Sequence, residues 1–420
     1  MSSEQPPAGK AIGNVGILDI REAQEEALSG IGAIGNVGMI LYSPATAGWV
    51  TRLSAGNVGC TLQVPAGASV MTGTETWSRT SIEGKEPLRL VVTGQLLLHP
   101  HVPRESLERN LESLAVVGEV TSPDHLAGVI RAKARDVTGR LTAYPWVEGG
   151  RFFADKVTLD GRFLEDLGEG SEIVALGGVS APEVLDDELL RSKVSSLYIG
   201  GRLHCREENL AALRSRLHGR SPSPRTTAVP AGFEAVEGRL RLDMAALGSL
   251  PGRRLYCTGL VEVEAEVDAA ALEEAVDALQ PTRLLIAPAH LEGVLTERCN
   301  LLQARAVFYE GELWHIEEES EGKDELLPSR FEWLDGKATL LVRGDLRIAA
   351  DIDPRVLADR LHKVHNLGRI VCTPEQMGAL QARLGLDEGQ LKARAAADRR
   401  KGQEGKGERD GIHNVGYLRL

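Results

Sequence analysis

Aromatic side chains are scarce in this chain. Phenylalanine, tyrosine and tryptophan make up 4% of its 420 residues. A pocket that stacks bases or sugars usually shows more rings, so the shortage argues against such a pocket. Cysteine is also sparse: Cys60, Cys205, Cys257, Cys299 and Cys372 are odd in number and form no CxxC pair. They read as buried reduced thiols, not as a disulfide framework or a thiolate metal site. No apolar run approaches the ~18 residues of a membrane helix, and no secretory leader opens the sequence. The expected compartment is therefore a reducing cytoplasm, without membrane insertion. Positive charge is in deficit too. Lysine and arginine number 48 against 60 acidic residues, a net charge of -12. No basic stripe is present outside the short segment 399–409, so nucleic acid is not an expected partner.

Catalytic constellations are missing as well. No GxGxxG follows a strand and opens a helix, and there is no Walker-type loop. His362 and His365 lie three apart on an expected helix, but no carboxylate or cysteine stands at a zinc-site spacing. Position 364 between them is a core position, so both histidines flank a buried face. His99-Pro-His101 reads as a turn, and His204-Cys205 lacks a placed third group. A carbohydrate-active enzyme on a β-solenoid would need clustered carboxylates and aromatic platforms. The expectation is no catalytic residue, no metal and no cofactor.

What the sequence does contain is repetition. The stretch from Leu88 to Lys133 passes from strand to helix periodicity twice, with Gly94 and Gly118 centred in its β-rich runs. Adding 83, 165 and 250 to Gly94 reaches Gly177, Gly259 and Gly344. The apolar set Val102, Leu107, Leu111 and Leu114 returns as Leu185, Leu190, Val194 and Leu197. It returns again as Val267, Leu272, Val276 and Leu279, and as Ile352, Leu357, Leu361 and Val364. Glycines at 94, 118, 139 and 161 mark a smaller period near 22 residues. One strand per coil, with the remainder a helix or loop, fits that period. The expected fold is an α/β, single-chain solenoid of ~22-residue strand/helix coils grouped in four ~83-residue repeats.

In chain order, 1–10 reads as a disordered tail. Residues 11–65 form a cap of Asn-Val-Gly coils, at Ile12-Gly-Asn14-Val15-Gly, Ile34-Gly-Asn36-Val-Gly and Ala55-Gly-Asn57-Val-Gly. Stacked asparagines can bond one another and the backbone at a bend. Residues 66–87 read as an irregular link within a 66–384 body whose repeats begin at about 88, 171, 253 and 338. An exposed break at 220–225 interrupts the second repeat, and the third closes with β segments at 304–316 and 331–335 separated by an acidic insertion over 317–325. A polar helix is expected over 385–400 and a flexible linker over 401–410. The chain then ends on Ile412-His413-Asn414-Val415-Gly416-Tyr417-Leu418-Arg-Leu420, a returned copy of the cap motif.

Strands such as VVTGQLLL, DVTGRLTA and IGNVGMIL resemble those of the bactofilins, bacterial polymer-forming β-solenoid proteins. The resemblance implies a cytoplasmic cytoskeletal protein that assembles end to end without nucleotide. This chain departs from the family in its length and in its many helices, where it looks more like a leucine-rich-repeat horseshoe with a protein-binding face. No functional residue carries over from either.

Two function classes follow. One is a structural protein that self-assembles into a filament or array. The other is a monomeric protein-interaction scaffold. The returned tail motif favours the first. A linker of this length reaches ~33 Å when extended. A stack of some 15 coils is roughly 70 Å long. The tail at 412–420 is therefore expected to complete a neighbour's cap at Ile12, Asn14, Val15, Asn36 and Asn57 by strand donation. Its alternative is a tail folded onto its own cap.

Overall fold

The computed structural model describes residues 10–53, 55–65, 67–83, 86–317, 324–394, 411–412 and 415–420. Of the disordered tail expected over 1–10, residues 1–9 lie outside them while Lys10 begins a strand, and the linker 401–410, His413 and Asn414 lie outside them too. Among the described residues the protein is α/β, with parallel strands in several separate sheets.

The strands fall into four stacks and a cap. Stack I shows the plan. Strands Ser69–Met71, Leu88–Val92, Leu111–Val116 and Ala134–Val137 form one parallel sheet. Thr74–Trp77, Gln95–Leu98, Glu119–Pro123 and Arg140–Tyr144 form the second. Each rung therefore carries two strands that meet at a bend, and a helix such as Arg104–Asn110 or Asp124–Lys133 leads to the next rung. The expectation of one strand per coil is corrected here. The β runs centred on Gly94, Gly118 and Gly139 are each two short strands broken at the glycine.

Close approach of the backbone explains those glycines. A Cβ on Gly94 would lie 2.0 Å from the carbonyl oxygen of Gly73, and one on Gly118 would lie 1.9 Å from that of Gly94. Rung spacing at the bend leaves no room for a side chain. Gly177, Gly259 and Gly344 occupy the same bend between the paired strands of their own rungs. Gly161 does not; it starts a helix, Gly161–Glu165, capped by the Asp160 carboxylate.

Stack II runs from Arg151–Phe153 to Arg225–Val229, stack III from Glu234–Val236 to Arg305–Tyr309, and stack IV from Glu312–Ile316 to Gln390–Ala393. The repeat starts expected at 88, 171, 253 and 338 fall on each stack's second rung. Residues 66–87, expected to be irregular, hold the first rung of stack I. The polar helix expected over 385–400 is strand in its first half, Leu384–Asp387 and Gln390–Ala393, because the ladder of stack IV claims good helix formers for a last rung. Residues 395–400 lie outside the described residues. The β segment expected at 331–335 is not a strand: Phe331 and Glu332 end a helix, Ser329–Glu332, and 333–335 are turn and loop.

Each stack has an aliphatic interior. Leu107, Leu190, Leu272 and Leu357 are 0%, 0%, 2% and 0% exposed, at matching places beneath the sheets. Leu111 and Leu114, expected on the helix of Leu107, lie in the strand that follows it. Helix and strand faces both point into the core, so one leucine run serves two elements.

Strand ladders do not cross from one stack to the next among the described residues. Stacks meet instead by the outer faces of their sheets. Tyr144, Val174 and Tyr198 bury between stacks I and II, with Phe152 and Trp146 against them. Leu284, Ile286, Val307, Tyr309 and Leu341 bury between stacks III and IV. Met39, Leu41, Val64 and Val91 join the cap to stack I. No helix among the described residues is long and apolar enough to cross a membrane.

Candidate assembly site

The cap begins with two strands, Lys10–Ile12 and Val15–Asp19, and continues with Ile31–Tyr42 and Ala55–Gln63. The first Asn-Val-Gly copy falls at the break between the first two strands, and the next two lie within the unbroken strands Ile31–Tyr42 and Ala55–Gln63. The asparagine side chains form the expected ladder: Asn57 Nδ2 donates to Asn36 Oδ1 at 2.7 Å, and Asn36 Nδ2 to Asn14 Oδ1 at 2.8 Å. The ladder is exposed, so it sets register more than it adds stability.

The sheet has one more rung, and it comes from the far end of the chain. Gly411–Ile412 pairs in parallel with Lys10–Ile12, and Val415–Arg419 with Val15–Asp19. Register is motif on motif: Ile12 opposite Ile412, Val15 opposite Val415, Ile17 opposite Tyr417 and Leu18 opposite Leu418. The Val415 N–H donates to the Asn14 carbonyl and the Leu420 N–H to that of Asp19, both at 3.0 Å. A Cβ on Gly16 would lie 2.5 Å from the Gly416 carbonyl oxygen, so the seated tail leaves no room for a side chain at 16. Leu418 and Leu420 pack on the cap core of Val15, Leu18, Ile20, Leu28 and Ile40. Of the expected sites, 12, 14 and 15 thus meet the tail residues Ile412, Val415, Gly416, Tyr417, Leu418 and Leu420 within one molecule, while Asn36 and Asn57 stand on the cap's later strands and reach the tail side only through the asparagine ladder. The seat is the chain's own cap.

Sequence reasoning missed the residues beneath this rung. Asp19 is 1% exposed and Arg21 is 6% exposed. Arg21 Nη2 meets Asp19 Oδ2 at 2.7 Å, and Arg21 Nη1 donates to the Ala68 carbonyl of stack I at 2.5 Å. The Tyr417 hydroxyl donates to Asp19 Oδ2 at 2.5 Å. Arg419 of the tail also pairs with Glu22. Burial pushes the Asp19 carboxyl up, but the hydrogen bonds from Arg21 and Tyr417 outweigh it and hold its pKa below the ordinary value. Burial and Asp19 raise the Tyr417 phenol in turn. One buried ion pair therefore ties tail, cap and stack I together. An acidic residue ending a cap strand two positions before an arginine was the available signal.

The other sequence candidates separate. His362 and His365 lie on a strand, Leu361–Asn366, where a three-residue offset puts them on opposite faces. His362 lies 3.5 Å from Glu310, while His365 is buried and accepts from the Leu386 N–H at 3.2 Å. They cannot share a metal as a helical pair would. His99 and His101 sit in a turn against Phe152 and Trp146. Cys205 points into the core of stack II while His204 faces out to Glu237. All five cysteines are free, and burial raises the thiol pKa of Cys205 to about 11 and of Cys257 to about 12. Cys60 is exposed, against expectation, because its strand is the cap's last rung.

No protein-family profile, curated protein or solved structure matches this chain.

Proposed function

We propose that this protein is a non-catalytic, cytoplasmic interaction scaffold built of short α/β solenoids, with the C-terminal tail as the seal of its terminal cap. The observation that carries this reading is the in-register seat of Val415–Arg419 on Val15–Asp19. An open solenoid end exposes unpaired backbone groups and aliphatic surface, and proteins cover such ends. Here the covering strand is in the same molecule, so the closed monomer has a finished first rung. The sheet faces and helix layers left outside then serve partner proteins.

The second reading is a filament made by strand donation. The copied motif favours it: whatever seats the tail on its own cap would seat it equally on an identical neighbour's cap, as in domain swapping. Light scattering and electron microscopy on the full chain and on a variant lacking 411–420 separate the two. The scaffold reading expects a full chain that stays monomeric at high concentration, and a truncated chain that associates through its exposed cap. Strand donation expects a full chain that polymerises and a truncated chain that does not. Polymers that form equally well with and without the tail would remove the tail from either role.

A further inference from the structure

Stacks II and III meet differently from the other pairs. Their facing sheets carry Ser180, His204 and Thr227 in one row and Ala235, Tyr256 and Gln280 in the opposing one. Polar and small residues cannot close a sheet-to-sheet junction by apolar packing, and a cleft of about 820 Å³ remains there. That volume lies within the range of small-molecule sites.

The charge in the cleft runs against that of the chain. Lys156, Arg202 and Arg283 line it, with Glu237 as the one carboxylate. His204 Nδ1 lies 2.6 Å from Glu237 Oε1 and Lys156 Nζ lies 3.6 Å from it, so the carboxylate is already occupied. Arg202 and Arg283 have no carboxylate partner among the described residues and stand exposed at the cleft. Two unpaired guanidiniums offer fork-shaped donors matched to a phosphate.

The hydroxyls of the cleft point to the rest of the ligand. Thr258 Oγ1 donates to the Val236 carbonyl at 3.4 Å and Thr282 Oγ1 to the Cys257 carbonyl at 3.1 Å. With their hydrogens spent, these oxygens remain as acceptors for ligand hydroxyls. The Tyr256 phenol lies between the two sheets, with its pKa raised by burial, and stays a neutral donor. Cations for a phosphate beside acceptors for hydroxyls describe one ligand class. We propose that the cleft between stacks II and III binds a phosphorylated sugar or similar phosphorylated polyol.

Isothermal titration calorimetry on the full chain tests this with glucose 6-phosphate, inorganic phosphate and glucose as probes. Glucose 6-phosphate is expected to bind more tightly than inorganic phosphate, and glucose alone to give no heat. Arg202→Gln with Arg283→Gln is expected to weaken sugar-phosphate binding by about tenfold or more. Both side chains are exposed, so the unliganded melting temperature should hold, and circular dichroism checks that the variant is folded. Thr258→Val is expected to reduce the advantage of the sugar phosphate over inorganic phosphate. No heat from any probe, or equal affinity in the arginine variant, overturns the site. Equal affinity for inorganic phosphate and the sugar phosphate overturns the polyol assignment.

Discussion

The cap and stack IV are both four rungs deep, yet they are assembled differently. Stack IV takes its rungs from one continuous run of chain, from Glu312–Ile316 to Gln390–Ala393. Each rung is delivered by the helix of the one before, so its closure costs little chain entropy. The cap takes its middle and last rungs from the N-terminal end and its first from residues 411–420. That first rung must be held by contacts, since no short connection delivers it. The two regions compensate in different ways. Stack IV has a larger apolar interior, of residues such as Trp314, Leu340, Leu357 and Ile370, with Gln376 Nε2 donating to the Ala349 and Ile352 carbonyls inside it. The cap adds a buried ion pair, an asparagine ladder and a tail tyrosine to a smaller apolar core. Both regions bury specific polar contacts, but only in the cap do they hold a rung that no short connection delivers.

The largest expected effect comes from the pair at the base of the tail. Arg21→Ala leaves the Asp19 carboxylate buried without its cation, a loss of about 3–5 kcal/mol. Urea unfolding is expected to split, with the cap lost before the stacks. A single unshifted transition would show that Asp19 finds another partner. Acid acts on the same point. The folded-state pKa of Asp19 is depressed, so its stabilising contribution is complete above the ordinary carboxylate value and is lost as pH falls through the folded one. Limited proteolysis of the tail is expected to rise sharply only at the acid end of that window, while the stacks stay protected.

Leu357→Ala tests the other side of the comparison. Leu357 is 0% exposed, and truncation is expected to cost about 2–5 kcal/mol in stack IV. Hydrogen exchange at Val15–Asp19 is expected to stay unchanged, because the cap core does not include stack IV residues. Faster exchange at both places would mean that cap and stack unfold as one unit.

The regular part of this architecture was legible in the sequence. Offsets of the glycines and of Leu107 marked equivalent places because rung geometry forces glycine at the bend and leucine inside. The two-strand rung was not legible, since a glycine in a β-rich run reads equally as a strand interior or as a corner. Leu111 misled for a related reason: its spacing from Leu107 suits a helix, and the chain turns to strand at that residue. The last rung of stack IV was hidden by helix-favouring composition, which the parallel ladder overrides. At the candidate site, the Asn-Val-Gly copies announced that the tail belongs with the cap. Which cap it would join was a question of distance along a stack assumed continuous. Breaking the body into stacks that pack side by side removes that assumption. Asp19 and Arg21 stayed invisible because their significance depends on burial beneath a strand from the other end of the chain.

The ladder residue Asn36 makes the comparison finer. It accepts from Asn57 and donates to Asn14. Both bonds are exposed, so Asn36→Ala is expected to cost about 1 kcal/mol. The change should appear as faster hydrogen exchange along Ile31–Tyr42 in the cap alone.

The smallest expected effect is at Arg419. Its guanidinium pairs with Glu22, and the two side chains are 52% and 49% exposed. Water screens such a pair, and holding two long side chains in one geometry has an entropic cost, so the net contribution is typically below about 1 kcal/mol. If the tail is held by its backbone pairing and by Tyr417 on Asp19, Arg419→Ala should leave the tail seated. Its proteolytic protection is then expected to match the unaltered protein at moderate salt, while Tyr417→Phe, which keeps the ring and removes only the hydroxyl, exposes the tail measurably. Were Arg419→Ala instead to free the tail as readily as Tyr417→Phe, surface charge would be holding the seam. The cap would then differ from the stacks by sitting on a salt-sensitive latch, and added salt alone should open it.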